Sequence, residues 1–187
     1  MRYRVAAVLP LVAFAFACGD QTSPAAPDVS PNFVVAGESG IQLIDHCQPS
    51  SFNRELGPGT CVPRIVGGPS VSFTTFIHTL RKLHLVPSWE MTPGVLDVEE
   101  DETVQVHNIG GETHTFTEVE EFGGGIVASL NALAGLTTVA PECEALTGAD
   151  FIAAGSTVPH LFDDEAGEVE KYQCCIHPWM RQIVQVH

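Results

Sequence analysis

Apolar and polar residues alternate in short runs through the second half of the chain. In 94–109, GVLDVEEDETVQVHNI, the alternation passes through Val95 and Asp97 and resumes with Thr103, Gln105 and His107 against Val104 and Val106, which predicts two strands across an acidic turn. Gly110 and Gly111 then turn the chain into THTFTEVEEF, whose β-branched and aromatic residues predict another strand, ended by Gly123, Gly124 and Gly125. Short strands are expected again at 151–152, 156–162, 168–174 and 183–186, the last two joined by a tight loop. One segment has a different period. Phe73, Phe76, Ile77, Leu80 and Leu83 or His84 fall three and four apart on one face, with Ser70 or Ser72 as N-cap and Pro87 as the stop, so a helix is expected near 72–84. Residues 126–154 are rich in small side chains and weakly periodic, an irregular excursion with a short helical turn, and no internal repeat is visible.

Composition narrows this picture. The 187 residues suffice for one ordinary domain, and with 17 Gly, 13 Pro and only 17% charged residues an all-β chain is favoured over long helices laced with ion pairs. Eight Lys and Arg against 23 Asp and Glu, a formal charge of −15, exclude the cationic surface that nucleic-acid binding requires. Residues 1–17 pair Arg2 and Arg4 with an uncharged apolar run over 5–17, the layout of a secretory signal and shorter than the roughly 20 residues of a bilayer-spanning helix. The sequence Ala15-Phe16-Ala17-Cys18-Gly19 resembles a bacterial lipoprotein box, with Ala15 where Leu is usual. Cys18 is then a lipid anchor and 18–30, GDQTSPAAPDVS after the Cys, a disordered linker or lipoprotein tether. A periplasmic or cell-surface location is expected.

Export permits disulfides, and their arithmetic gives the first chemical clue. Apart from Cys18 there are Cys47, Cys61, Cys143, Cys174 and Cys175, an odd number, so one thiol has another task. Cys47 and Cys61 bracket a turn-rich segment that a local bridge can close; Cys143 pairs with either Cys174 or Cys175, leaving the other free. The loop Tyr172-Gln-Cys174-Cys175-Ile-His177-Pro178-Trp179-Met180 gathers a thiolate, an imidazole and a thioether between two strands. One Cys and two His with a weak axial Met make a copper electron-transfer site, because that set suits both oxidation states. His114, at the start of a strand from elsewhere in the chain, is the best further His. His78 and His84 are read as packing or surface residues, and His46, His107, His160 and His187 lack ligand spacing.

With these residues in view the chain resembles the cupredoxins, or blue copper proteins, its end loop being similar to the Cys-x-x-His-Pro-x-Met of amicyanin and pseudoazurin at Cys174, His177, Pro178 and Met180. The family's upstream His follows an Asn that braces its loop, and here Asn108 precedes His114. The resemblance spans 88–187 and implies a cupredoxin-like Greek-key β-sandwich; 31–87 is then an extension carrying the Cys47–Cys61 bridge and the one added helix. It implies a single type 1 copper held by His114, Cys174 and His177 in a plane, with Met180 axial. Two residues separate Cys174 from His177, as the family requires, and strand alternation turns Tyr172 and Cys174 inward and Cys175 outward, which makes Cys175 the partner of Cys143. Phe116, Ile176 and Trp179 are expected around the metal, with Pro178 stiffening the loop. His177, Pro178 and Trp179 are expected at the surface as a docking face for a redox protein such as a c-type cytochrome or oxidase. The implied role is electron transfer, without enzymatic activity. A periplasmic copper chaperone or sensor, or a structural sandwich with an empty or zinc-filled site, are the rivals. A chain whose only methionines are Met1, Met91 and Met180 offers little to the chaperone.

Overall fold

A computed structural model describes residues 40–187. The expected leader at 1–17, the tether at 18–30 and the anchor at Cys18 lie outside the described residues. In chain order the elements are β1 (Ile41–Asp45), α1 (Pro49–Leu56), α2 (Phe73–Leu83), β2 (Trp89–Thr92), β3 (Val95–Val98), β4 (Glu102–Asn108), β5 (His114–Thr115), β6 (Thr117–Glu118), α3 (Ala128–Ala134), α4 (Pro141–Glu144), a 3₁₀ turn (Gly148–Asp150), β7 (Phe151–Ile152), β8 (Thr157–Phe162), β9 (Val169–Gln173) and β10 (Arg181–Val186). Four strands pair in the order β2-β1-β4-β8 and four in the order β3-β10-β9-β6, with β5 and β7 as a separate pair. The β1–β4 and β3–β10 pairings are parallel and the rest antiparallel. Ile41, Leu43, Val104, Val106 and Phe162 of the first sheet share one core with Leu96, Val98, Tyr172, Val184 and Val186 of the second. This is the expected β-sandwich, with alternate residues turned inward as the pleat demands.

Three expectations change. The boundary expected between 87 and 88 falls inside the sandwich, because β1 lies hydrogen-bonded between β2 and β4 and its Ile41 and Leu43 are fully buried. The two strands of 94–109 form as expected, yet their acidic turn carries the chain from one sheet to the other, so β3 and β4 do not pair with each other. The single strand read into THTFTEVEEF is split at Phe116 into β5 and β6, which pair with different strands.

The helix expected near 72–84 is α2: Ser72 Oγ caps it by accepting the Thr75 N–H at 3.2 Å, and His84 closes it in a left-handed conformation. It is not the only added helix. α1 packs Phe52 against Phe73, Phe76 and Trp89, while α3 and α4 give the 126–154 excursion more helix than its single expected turn. Both bridges, Cys47–Cys61 and Cys143–Cys175, are present, and among the described residues Cys174 is the free cysteine.

Candidate metal centre

The sandwich brings its candidate donors together at the ends of strands. His114 opens β5, Cys174 follows the last residue of β9, and His177 lies in the loop before β10. That loop is closed by its own backbone: Met180 N–H donates to His177 O at 2.9 Å and Cys174 N–H to Met180 O at 3.0 Å. The upstream loop is tied down by Asn108, whose Nδ2 donates to the carbonyls of Glu112 and Ile152 at 2.8 Å and whose Oδ1 accepts from Gly110 N–H at 3.1 Å. The bracing expected of Asn108 is therefore a set of backbone contacts linking β4, the ligand loop and β7.

The Nδ1 atoms of His114 and His177 lie 3.6 and 3.9 Å from Cys174 Sγ and 3.3 Å from each other. An ion bonded at ~2.05 Å to nitrogen and ~2.3 Å to sulfur in a trigonal plane holds such donors about 3.6 Å (N to N) and about 3.8 Å (N to S) apart, so the triangle fits a metal. His114, Cys174 and Met180 are wholly buried and His177 is 3% exposed. Met180 sits at the far end of the loop that holds Cys174 and His177.

Charge is arranged around this triangle. Burial alone would raise the Cys174 thiol, but hydrogen bonding and attraction from His114 and His177 outweigh it and hold the group well below the ordinary thiol range. The sulfur also accepts backbone N–H groups from Thr115 at 3.4 Å and His177 at 3.5 Å. Two residues that sequence reasoning missed stand behind the imidazoles. Asp45 Oδ2 in β1 accepts from His114 Nε2 at 3.0 Å, both side chains fully buried. Glu112 Oε2 lies 3.6 Å from His177 Nε2 and accepts from Trp89 Nε1 at 2.8 Å. Burial would push His114 down, yet Asp45 and Cys174 together lift it to about 10; burial would raise Asp45, yet the His114 hydrogen bond brings it to about 2. Glu112 is raised chiefly by burial, with His177 opposing and Asp45 adding. Asp45 carried one signal in the sequence, a lone acid closing the apolar run IQLID; Glu112 carried its place two residues before His114.

The expected exposure of His177 is overturned. Its ring lies under an aromatic cover, with centroids 6.4 Å from Phe76 of α2, 6.5 Å from Trp89 and 5.6 Å from Trp179. The segment taken for a mere extension thus roofs the site. Phe116 stacks on Tyr172, with ring centroids 4.2 Å apart. Five of the six other histidines make bonds of their own: His107, half-buried on the outer side of β4, to Thr157 Oγ1 at 2.8 Å, His160 to Tyr172 Oη at 3.0 Å, His46 to Pro69 O, His84 to Leu133 O and His187 to Asp97.

No protein-family model and no curated protein matches the sequence. Among solved structures the chain is similar to a purple cupredoxin from Nitrosopumilus maritimus at 20% identity, over 55% of this chain and 86% of that one, with a TM-score of 0.39. The likeness is to cupredoxins. An amicyanin variant aligns at 20% identity over 55% of this chain and 77% of its own (TM-score 0.35), and the plastocyanin of Dryopteris crassirhizoma at 12% over 53% and 89% (TM-score 0.34). The donor assignment rests on the geometry above.

Proposed function

We propose that the protein carries single electrons outside the cytoplasm at one type 1 copper held by His114, Cys174 and His177, with Met180 as the distant axial donor. The observation that carries this reading is the buried triangle of two Nδ1 atoms and one sulfur, 3.3 to 3.9 Å apart. Copper bound there would supply a one-electron couple. The chain's residues do the rest. Cys174 presents a thiolate stabilised by two backbone N–H groups. His114 turns Nδ1 inward because its Nε2 hydrogen is given to Asp45. The closed 174–180 loop limits rearrangement, and the aromatic cover keeps solvent from the donors. Burial of the whole set favours a centre that keeps its metal over the alternative of a copper chaperone or sensor, which must surrender or exchange it.

The signal-like 1–17 supports export, and Cys18 supports a lipid anchor. The acidic surface suits a basic redox partner such as a c-type cytochrome or an oxidase. Loading the purified full chain with Cu(II) and recording visible absorption and electron spin resonance tests the reading. An intense thiolate-to-copper band with a narrow copper hyperfine splitting is expected, and a colourless Cu(II)-bound protein overturns it.

A further inference from the structure

An imidazole ligand has two nitrogens, and what the outer one bonds to sets the ring's orientation and basicity. Here both outer nitrogens face buried carboxylates, Asp45 at 3.0 Å from His114 and Glu112 at 3.6 Å from His177. Neither is a loose neighbour. Asp45 Oδ2 also accepts the N–H groups of Gly111 at 2.8 Å and Glu112 at 2.9 Å, and its Oδ1 that of Cys47 at 3.0 Å, so the carboxylate cannot rotate away. Glu112 is pinned by the Trp89 indole. A Cβ on Gly110 would collide with the Asp45 carboxylate and one on Gly111 would stand 2.6 Å from Cys47 Sγ, which shows how closely β1 is pressed on the ligand loop. Asp45 and Trp89 both come from outside the loops that carry the donors.

We propose that Asp45 and Glu112 are positioning residues that act through the two imidazoles on the oxidation state of the bound metal, favouring the oxidised form. This rests on the reading of the site as a copper centre. The oxidised ion carries one more positive charge than the reduced one. Fixed negative charge one ring away, in an interior where it is weakly screened, therefore stabilises it preferentially and lowers the reduction potential. A carboxylate that accepts the Nε2 hydrogen also makes Nδ1 a stronger donor, which acts in the same direction.

The test uses the copper-loaded full chain and two isosteric variants, Asp45→Asn and Glu112→Gln, each followed by bleaching of the visible band as the potential is lowered. Both should shift the balance toward the reduced metal by at least three-fold. The larger change is expected in Asp45→Asn, where ten-fold corresponds to about 59 mV for one electron. A merely structural role would lower stability and leave the potential in place. A shift below three-fold, or of opposite sign, in either coloured variant overturns the proposal; should Asp45→Asn not fold, Glu112→Gln decides alone. A second readout needs no copper. In the Zn(II)-loaded chain the hydrogen on His114 Nε2 should resonate far downfield and move upfield in Asp45→Asn, and an unmoved signal overturns the role of Asp45. A wild type that binds Cu(II) without colour defeats the copper reading, while this zinc experiment still judges the carboxylate.

Discussion

His107 and His114 flank the same Gly-Gly turn, and only one of them faces Cys174. On β4 the inward positions are Val104, Val106 and Asn108, so His107 is carried to the outer face, whereas His114 is wholly buried with Nδ1 3.6 Å from the sulfur. His114→Ala should abolish the visible band of the copper-loaded chain or replace it by an ordinary copper spectrum, and His107→Ala should leave it intact; absorption of the two variants side by side checks this. The clustering of His114, Cys174 and His177 was legible because each candidate donor sits in a short motif whose spacing has a chemical reason. Asp45 was not, since a carboxylate at the end of an apolar strand has meaning only once the residue facing it is known, and His114 is 69 positions away. The burial of His177 was illegible for the same cause: the Phe76 that covers it belongs to a helix whose position over the loop no local pattern encodes.

At the level of elements, local periodicity located β3, β4, β7 to β10 and α2 well. It failed where long-range pairing decides. β1 is only five residues long and is held by partners more than 40 positions downstream, and α1 begins PSSFN, whose residues favour turns in isolation. α1 is helical because Phe52 fills the aromatic cluster beneath α2 and the Cys47–Cys61 bridge closes the segment. Two substitutions on α2 separate its contributions. Ser72→Ala removes the cap and should cost about 1 kcal/mol. Phe76→Ala empties the centre of the cluster, where the ring is 2% exposed, and should cost about 3–5 kcal/mol. Denaturant unfolding of the two variants measures both. Phe76→Ala should also open His177 to ring-modifying acylating reagents in the metal-free chain, detectable by peptide mass, while Ser72→Ala should not.

Over the whole molecule the excess of acid is felt at one buried point away from the candidate centre. Burial lifts Glu170 to about 7 despite the hydrogen bond it accepts from Tyr172 Oη at 2.7 Å, and Asp164 and Glu118 add to the rise. A carboxyl that binds its proton more tightly folded than unfolded stabilises the fold fully below its ordinary 4.5 and loses that contribution as pH climbs through about 7. Stability should therefore fall between pH 5 and pH 8 by a component that Glu170→Gln removes, as unfolding midpoints at the two pH values will show. The formal charge of −15 makes a second whole-molecule expectation: association with a basic electron donor or acceptor should slow steeply as salt rises, by stopped-flow mixing at several ionic strengths. The roof over His177 has a consequence for encounters between identical molecules. At the proposed copper centre Phe76, Trp89 and Trp179 add a layer of side chain over the imidazole, and the like charge on every copy opposes the encounter of two identical molecules. Electron self-exchange should then be slow enough that a half-reduced solution shows two separate sets of proton resonances instead of one averaged set.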